Sequence, residues 1–329
     1  MLHGVMDEGI PHSWVPLRPQ ISRTQLRRGL KVLSRYYRFI GLDQATEMIS
    51  GRALFEPHCM VITFDDGYRN CLKHALPILR EFGAPATLFL ATGKIDRREP
   101  FWFDRLDYAI QHVGLKGRSF HTGNEKICFT SGARENLCAG FKKLRDSAKQ
   151  VVRGDAQMIA EMNLLADALE KESGCNLADI FENDDWAGLL SWSEIAEAAN
   201  WNDVTFGSHT VDHTRLGCVE IREARRQLLQ SKESIERHTG KPCSFFCFPS
   251  GSFSRISMEW VRQCGYRAAV TTQEGLNRIR QNPFALFRLS LPWEGSRGDL
   301  LWETLQVKSL NRIALSGREV PFSECITGN

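Results

Sequence analysis

No stretch of this chain approaches the roughly 20 apolar residues that cross a bilayer. Its opening residues, Met1 to Glu8, show neither a basic nor an apolar signal-like region. These two absences lead us to expect a cytoplasmic protein without a transmembrane segment. No dense Lys/Arg block occurs, and a net charge of +3 with pI near 8.3 is too mild to imply a nucleic-acid partner. No G-x-G-x-x-G or Walker string follows any strand-like run, which argues against the nucleotide-binding forms of an open sheet. Cysteine is present, ten in all, but never as Cys-x-x-Cys. Cys243 and Cys247 fall on one expected strand, about 13 Å apart and too far to bridge. The cysteines therefore read as small buried apolar residues in a reducing compartment.

What is present is a globular composition, 329 residues with 42% hydrophobic and 25% charged. Ser22 with Gln25 three residues later marks a helix start, and Leu26, Leu30 and Leu33 continue it at helical spacing. A short helix is expected from Asp43 to Ile49. Leu72, Leu76 and Leu79 mark another that Gly83 closes, with Pro77 forcing a kink or a late start. Ala86–Ala91 is a continuous apolar run, as in strands covered on both faces. Residues 97–190 break this rhythm and read as a long, mostly helical insertion, with helices near 134–150 and 155–172, that shapes a cleft. The alternation then resumes, with helices at 192–199, 219–238, 257–264 and 299–306. Counting gives seven strand-like runs, near residues 3, 61, 88, 206, 246, 270 and 289. Strands alternating with helices indicate an α/β fold with a parallel sheet, as an open doubly wound sheet or a deformed, incomplete (β/α) barrel. We read the whole span 1–329 as one catalytic domain.

Chemistry concentrates where expected strands end. Thr63-Phe64-Asp65-Asp66-Gly67 follows an apolar run and places two carboxylates at a strand-to-loop transition. Neighbouring residues on a strand point to opposite faces, but a turn into Gly67 can bring both to one pocket. Two such charges repel, so a cation or a shared proton has to reconcile them. Most Asp-Asp-Gly strings are ordinary turns. Here a second strand end carries His209-Thr210-Val211-Asp212-His213, and two imidazoles with one carboxylate form a metal site with open positions. Such a site suits metal-assisted hydrolysis.

The strings Thr63-Phe64-Asp65-Asp66-Gly67 and His209-Thr210-x-x-His213 resemble the first two motifs of the polysaccharide deacetylase family (NodB-homology domain, carbohydrate esterase family 4-like). Ala84-Pro85-Ala86-Thr87-Leu88-Phe89 is similar to the family's P-A-T-F-F strand, and Phe246-Cys247-Phe248-Pro249-Ser250-Gly251 to a variant of its third motif. The resemblance spans roughly residues 58–92 and 190–291. It implies a deformed (β/α) barrel of about seven parallel strands and removal of an acyl group from an N-acylated sugar. By the same resemblance Asp66, His209 and His213 hold one divalent metal, usually zinc, and Asp65 is the general base. The loop Phe248-Pro249-Ser250 lines the substrate, with a backbone N–H near Ser250 facing the oxyanion.

Two departures stand out. Cys247 occupies the third-motif position where many members have an arginine that orients the base, and Arg288 on the last strand is the candidate substitute. No histidine follows His238, so the C-terminal histidine that commonly serves as general acid is missing, and His3 is the candidate replacement. Met1-Leu2-His3-Gly4-Val5 resembles the N-terminal strand of permuted relatives. Phe101-Trp102-Phe103 and Trp293 are candidate platforms for sugar rings, and Asp104 a candidate partner for a sugar hydroxyl. The expected partner is a carbohydrate, an N-acetylated amino sugar in a cell-envelope polysaccharide or in its lipid- or nucleotide-linked precursor. Deformylation, ester deacetylation and a catalytically inactive carbohydrate-binding relative are the alternatives.

Overall fold

The computed structural model describes residues 1–122, 125–151 and 154–291. Five parallel strands form its central sheet, in the spatial order Ala268–Val270, Phe245–Cys247, Val204–Ser208, Ala86–Leu90, Ile62–Phe64. Every side chain of Ala86–Leu90 is buried, as expected of a central strand with helices on one face and a filled interior on the other. The sheet curls toward closure at both edges. Leu2 bridges to Phe64 in parallel, its N–H donating to Thr63 O and its carbonyl accepting from Asp65 N, both 3.0 Å. At the opposite edge Leu286 bridges to Val270, and Met1 N donates to Leu289 O at 2.7 Å where the two outer segments meet.

The seven strand-like runs thus all lie around one curled, incomplete barrel, but the two outermost pair through single bridges and are not extended strands. Two small parallel ladders, Val5–Met6 with Ile21–Ser22 and Arg38–Phe39 with Cys59–Met60, had no legible pattern because two-residue strands carry no period.

Local signals mark the start of several helices. Ser22 and Ser191 each close a full capping box, with Gln25 and Glu194 respectively. Pro77 sits in the first turn of Leu76–Glu81, preceded by the π-helical turn Cys71–Ala75, so the late start is the outcome. The insertion holds the helices Trp102–Val113, Arg134–Val151 and Asp155–Ser173. It also contains an antiparallel hairpin, Arg118–Thr122 with Glu125–Phe129, where only a polar middle was expected. No helix of the described residues is long and apolar enough to cross a membrane. The nine described cysteines are all unpaired. The expected 299–306 helix and Trp293 lie outside the described residues.

Gly207 shows how tightly the sheet is packed just ahead of the histidine loop. A Cβ there would lie 2.6 Å from the Phe89 ring and 2.9 Å from Phe245 O, both on neighbouring strands. Gly207→Ala is expected to lower the unfolding free energy by about 1–3 kcal/mol through overpacking. Urea denaturation with an unchanged midpoint would contradict that packing.

Candidate active site

The residues singled out in the sequence follow the C-terminal ends of the barrel segments in turn. His3 follows Leu2, Asp65 and Asp66 follow Ile62–Phe64, and His209 follows Val204–Ser208. Phe248 comes after Phe245–Cys247, and Arg288 after Leu286. In a parallel barrel these ends share one rim, so residues far apart in the chain face one another.

Asp66 adopts φ +74, and this left-handed residue turns the chain so that adjacent carboxylates serve one pocket. Its Oδ1 lies 3.5 Å from His209 Nε2 and 3.4 Å from His213 Nε2. One ligand atom from each of the three lies within 4.8 Å of the others. The His209 Nδ1–H donates to Cys247 O at 2.8 Å, which directs Nε2 toward Asp66. Burial would lower the His209 pKa, but Cys247 and Asp66 override it and raise it, so a metal bound there would displace the Nε2 proton. Burial lowers the pKa of His213, against Asp66, favouring the neutral imidazole that a metal ligand needs. The donor set, two imidazoles and a carboxylate aimed at one point, fits a divalent cation such as zinc.

Asp65 is organised differently. Arg288 Nη1 and Nη2 donate to its two oxygens at 2.7 and 2.8 Å, with both side chains buried. The same guanidinium donates to Thr271 O at 2.7 Å, to Thr63 Oγ1 at 3.2 Å and to Cys247 Sγ at 3.2 Å. Burial by itself would raise the Asp65 carboxyl, but Arg288 overrides it and holds Asp65 well below the usual carboxylate range. Asp65, His209 and Cys247 also cluster within metal-ligand distance. Burial pushes the Cys247 thiol up, and Arg288 already occupies that face, so a second cation there would be repelled.

His3 follows Leu2, whose backbone pairs with Thr63 and Asp65. Burial lowers the His3 pKa, while Asp66 and then Asp65 pull the other way. Phe248 and Pro249 are buried, and Ser250 is exposed in a left-handed turn, φ +53, beside them. Four non-glycine left-handed residues, Asp66, Thr210, His213 and Ser250, thus belong to one site. Such backbone costs about 1–3 kcal/mol per residue and persists only where its surroundings over-determine it.

The surroundings do so here. Gln227, 1% exposed, accepts from both Val211 N and Asp212 N at 2.9 Å. Thr210 Oγ1 accepts from Thr214 N at 2.8 Å, and the Ser208 and Ser231 hydroxyls are 2.7 Å apart. Sequence reasoning missed Gln227 and Ser231. Their signal was polar residues one turn apart on the otherwise apolar face of Ile221–Thr239, alongside Ala224, Leu228 and Ile235.

Two expectations are corrected. Phe101, Trp102 and Phe103 are at most 6% exposed and belong to the core, where Phe101 and Phe103 pack edge-on against His213 at 5.5 and 5.6 Å. They brace His213 and offer no face to a sugar. Asp104 is fully buried, accepting from Arg18 Nη2 at 2.5 Å and from Tyr68 Oη at 2.6 Å, so it is not open to a sugar hydroxyl. An apolar-aromatic run next to an acid reads the same in core or cleft, and only packing separates the two.

Arg288→Gln leaves Asp65 as an uncompensated buried charge, with an expected loss of about 3–5 kcal/mol that Asp65→Asn in the same chain relieves. Denaturant unfolding of the two variants checks it. Because the folded pKa of Asp65 is depressed, its stabilisation is complete above the unfolded value of about 3.9 and drains as pH falls below it. Wild-type stability between roughly pH 4 and 2 should therefore fall more steeply than that of Asp65→Asn. Equal slopes would mean that the pair carries no such linkage.

The sequence model of the polysaccharide deacetylase family matches residues 54–127 and 156–269, more than half of the chain. The YxkH protein of Bacillus subtilis (strain 168) is 17% identical over 253 residues, 77% of this chain. The chain spans 58% of the length of that relative. Among solved structures, the Streptococcus pyogenes deacetylase PplD in complex with acetate superposes with a TM-score of 0.57 at 15% identity, covering 92% of this chain and 94% of its own. IcaB from Ammonifex degensii superposes with a TM-score of 0.53 at 17% identity, over 92% and 96%. These likenesses show the incomplete barrel. The family match covers the strands that carry both Asp65-Asp66 and His209–His213, and on it the chain belongs to the polysaccharide deacetylase family.

Proposed function

We propose that this protein is a metal-dependent hydrolase that removes an N-acyl group, in the first instance N-acetyl, from an amino sugar of a polysaccharide or its lipid- or nucleotide-linked precursor. The observation that carries this reading is the convergence of two unlike carboxylates on one rim. Asp66 is aimed at two imidazole nitrogens, and Asp65 is held ionised by a guanidinium.

Asp66, His209 and His213 would hold the ion. A divalent metal there would polarise the amide carbonyl and acidify water, the two things amide hydrolysis lacks at neutral pH. Asp65 takes the proton of the attacking water. Its two bonds to Arg288 leave half of its lone-pair positions open. Held so far below the usual range, it accepts a proton only from a strongly acidified water, which ties its role to an occupied metal site. Arg288 stands in for the family's third-motif arginine by keeping Asp65 charged and fixed in plane. The Phe248-Pro249-Ser250 turn supplies the wall against which the oxyanion would develop, with the Ser250 N–H as its donor, since Pro249 has none and the Phe248 N–H already donates to Val270 O. In this reading His3 hands a proton to the leaving amine, completing C–N cleavage to a free amine and a carboxylate.

The test is acyl release from N-acetylated and N-formylated sugar carriers by zinc-loaded protein, read by mass spectrometry. Asp65→Asn is expected to keep its metal and lose roughly 10²–10⁴-fold in turnover. His3→Ala should also keep its metal and turn over at least about tenfold more slowly. Asp66→Asn should lose metal together with activity, as should wild type treated with a chelator. Protein that takes up no divalent ion under any loading condition would sink the hydrolase reading. Turnover unchanged in His3→Ala would remove His3 from the mechanism alone.

A further inference from the structure

Among the described residues, two cations on one face of an insertion helix make no salt bridge, and one of them reaches the third-motif turn. Arg145 and Lys149 lie one turn apart on the helix Arg134–Val151, hence on one face of it. Lys149 Nζ reaches across to the third-motif turn and donates to Ser250 Oγ at 3.0 Å, a neutral acceptor. Arg145 places its guanidinium over the Phe141 ring at 5.6 Å, and its Nε is buried with no hydrogen-bond partner. Neither makes a salt bridge among the described residues. The nearby arginines do. Arg18 is paired with Asp104, and Arg215 is paired with Asp155 through both its Nε and its backbone N–H.

The cluster is crowded and fixed. Burial, then Arg145 and Arg215, bring the Lys149 ammonium down to about 8, against the attraction of Asp146, itself paired with Lys142, and of Asp66. Arg145 is likewise lowered by burial and by Arg18. The bond from Lys149 to Ser250 places this cation beside the third-motif turn, at the rim of the site. Arg215 Nη1 donates to Lys149 O at 2.7 Å, and Arg215 stands two residues beyond His213, so the helix end is tied to the metal-ligand loop. Half-buried cations without a counter-charge are unfavourable unless an anion joins them.

We propose that Arg145 and Lys149 bind an anionic substituent, a phosphoryl or carboxylate group, next to the acylated amino sugar, so that the substrate is an acidic glycan or a glycosyl phosphate and not a neutral chain. This rests on the deacylation reading for the position of the sugar and adds the charge it must carry. Guanidinium and ammonium groups side by side suit such an oxyanion, the first through two parallel donors and the second as a point charge.

The experiment is calorimetric binding of three probes to the zinc-loaded protein. They are N-acetylglucosamine, N-acetylglucosamine 1-phosphate, and a disaccharide of N-acetylglucosamine with glucuronate. At least one charged probe is expected to bind about tenfold or more tightly than the neutral sugar, with the preference falling as salt rises. Whichever charged probe prevails identifies the anion. Lys149→Gln and Arg145→Gln should each erode the preference and the double variant abolish it, whereas Lys149→Arg should retain most of it. Charged and neutral probes binding alike, or a double variant with the preference intact, would overturn the proposal. Acetate release is measured separately. Its failure on every probe would count against the deacylation reading, while the charge preference is read from binding alone.

Discussion

The bidentate pair between Asp65 and Arg288 is the interaction on which the rest of the site depends. Asp65 and Asp66 are consecutive, both about 2% exposed, and their charges would oppose each other in a medium of low dielectric. Arg288 removes that conflict for Asp65, and two imidazoles remain aimed at Asp66. The pair also joins the strand that opens the sheet to the segment that ends its described part. It therefore spans the seam where the barrel is least regular, next to the Leu2 and Leu286 bridges. A buried ion pair adds little net stability compared with an apolar substitute. Its value here is that it gives two neighbouring carboxylates different partners.

Strain is the second organising feature. Thr210 is β-branched and left-handed, φ +67, an arrangement that local preference disfavours. It is retained because Thr92 N, Thr214 N and the Gln227 amide hold the loop on every side. The result is a pair of histidines four residues apart whose rings meet at 4.9 Å, nearly perpendicular, with both Nε2 atoms near one carboxylate oxygen. A regular helix would have used the same spacing with a fixed geometry. A strained loop allows the nitrogens to be set by their neighbours.

The insertion is part of this arrangement. It supplies the aromatic rings that brace His213, the acid that pairs with Arg18, and through Asp155 the anchor for Arg215. Its helices therefore close one side of the site. The same aromatic run looked like a sugar platform when read alone, since exposure is not a property of composition.

The chain order by itself determined the alternation of strands and helices, the two motif strings and the capping boxes, because these depend on periods and contacts within a few residues. It also determined which residues end up on one rim, since parallel strands align their C-terminal ends whatever the loops between them. Only the tertiary structure decided how Arg288 is used, because a buried salt bridge over more than 200 residues of sequence leaves no local trace. It likewise decided that Asp104 is sealed inside, that Gln227 holds the histidine loop, and that Lys149 reaches Ser250 from the insertion. In each case the deciding quantity is which polar group finds which partner once water is excluded, and that is a property of packing, not of order along the chain.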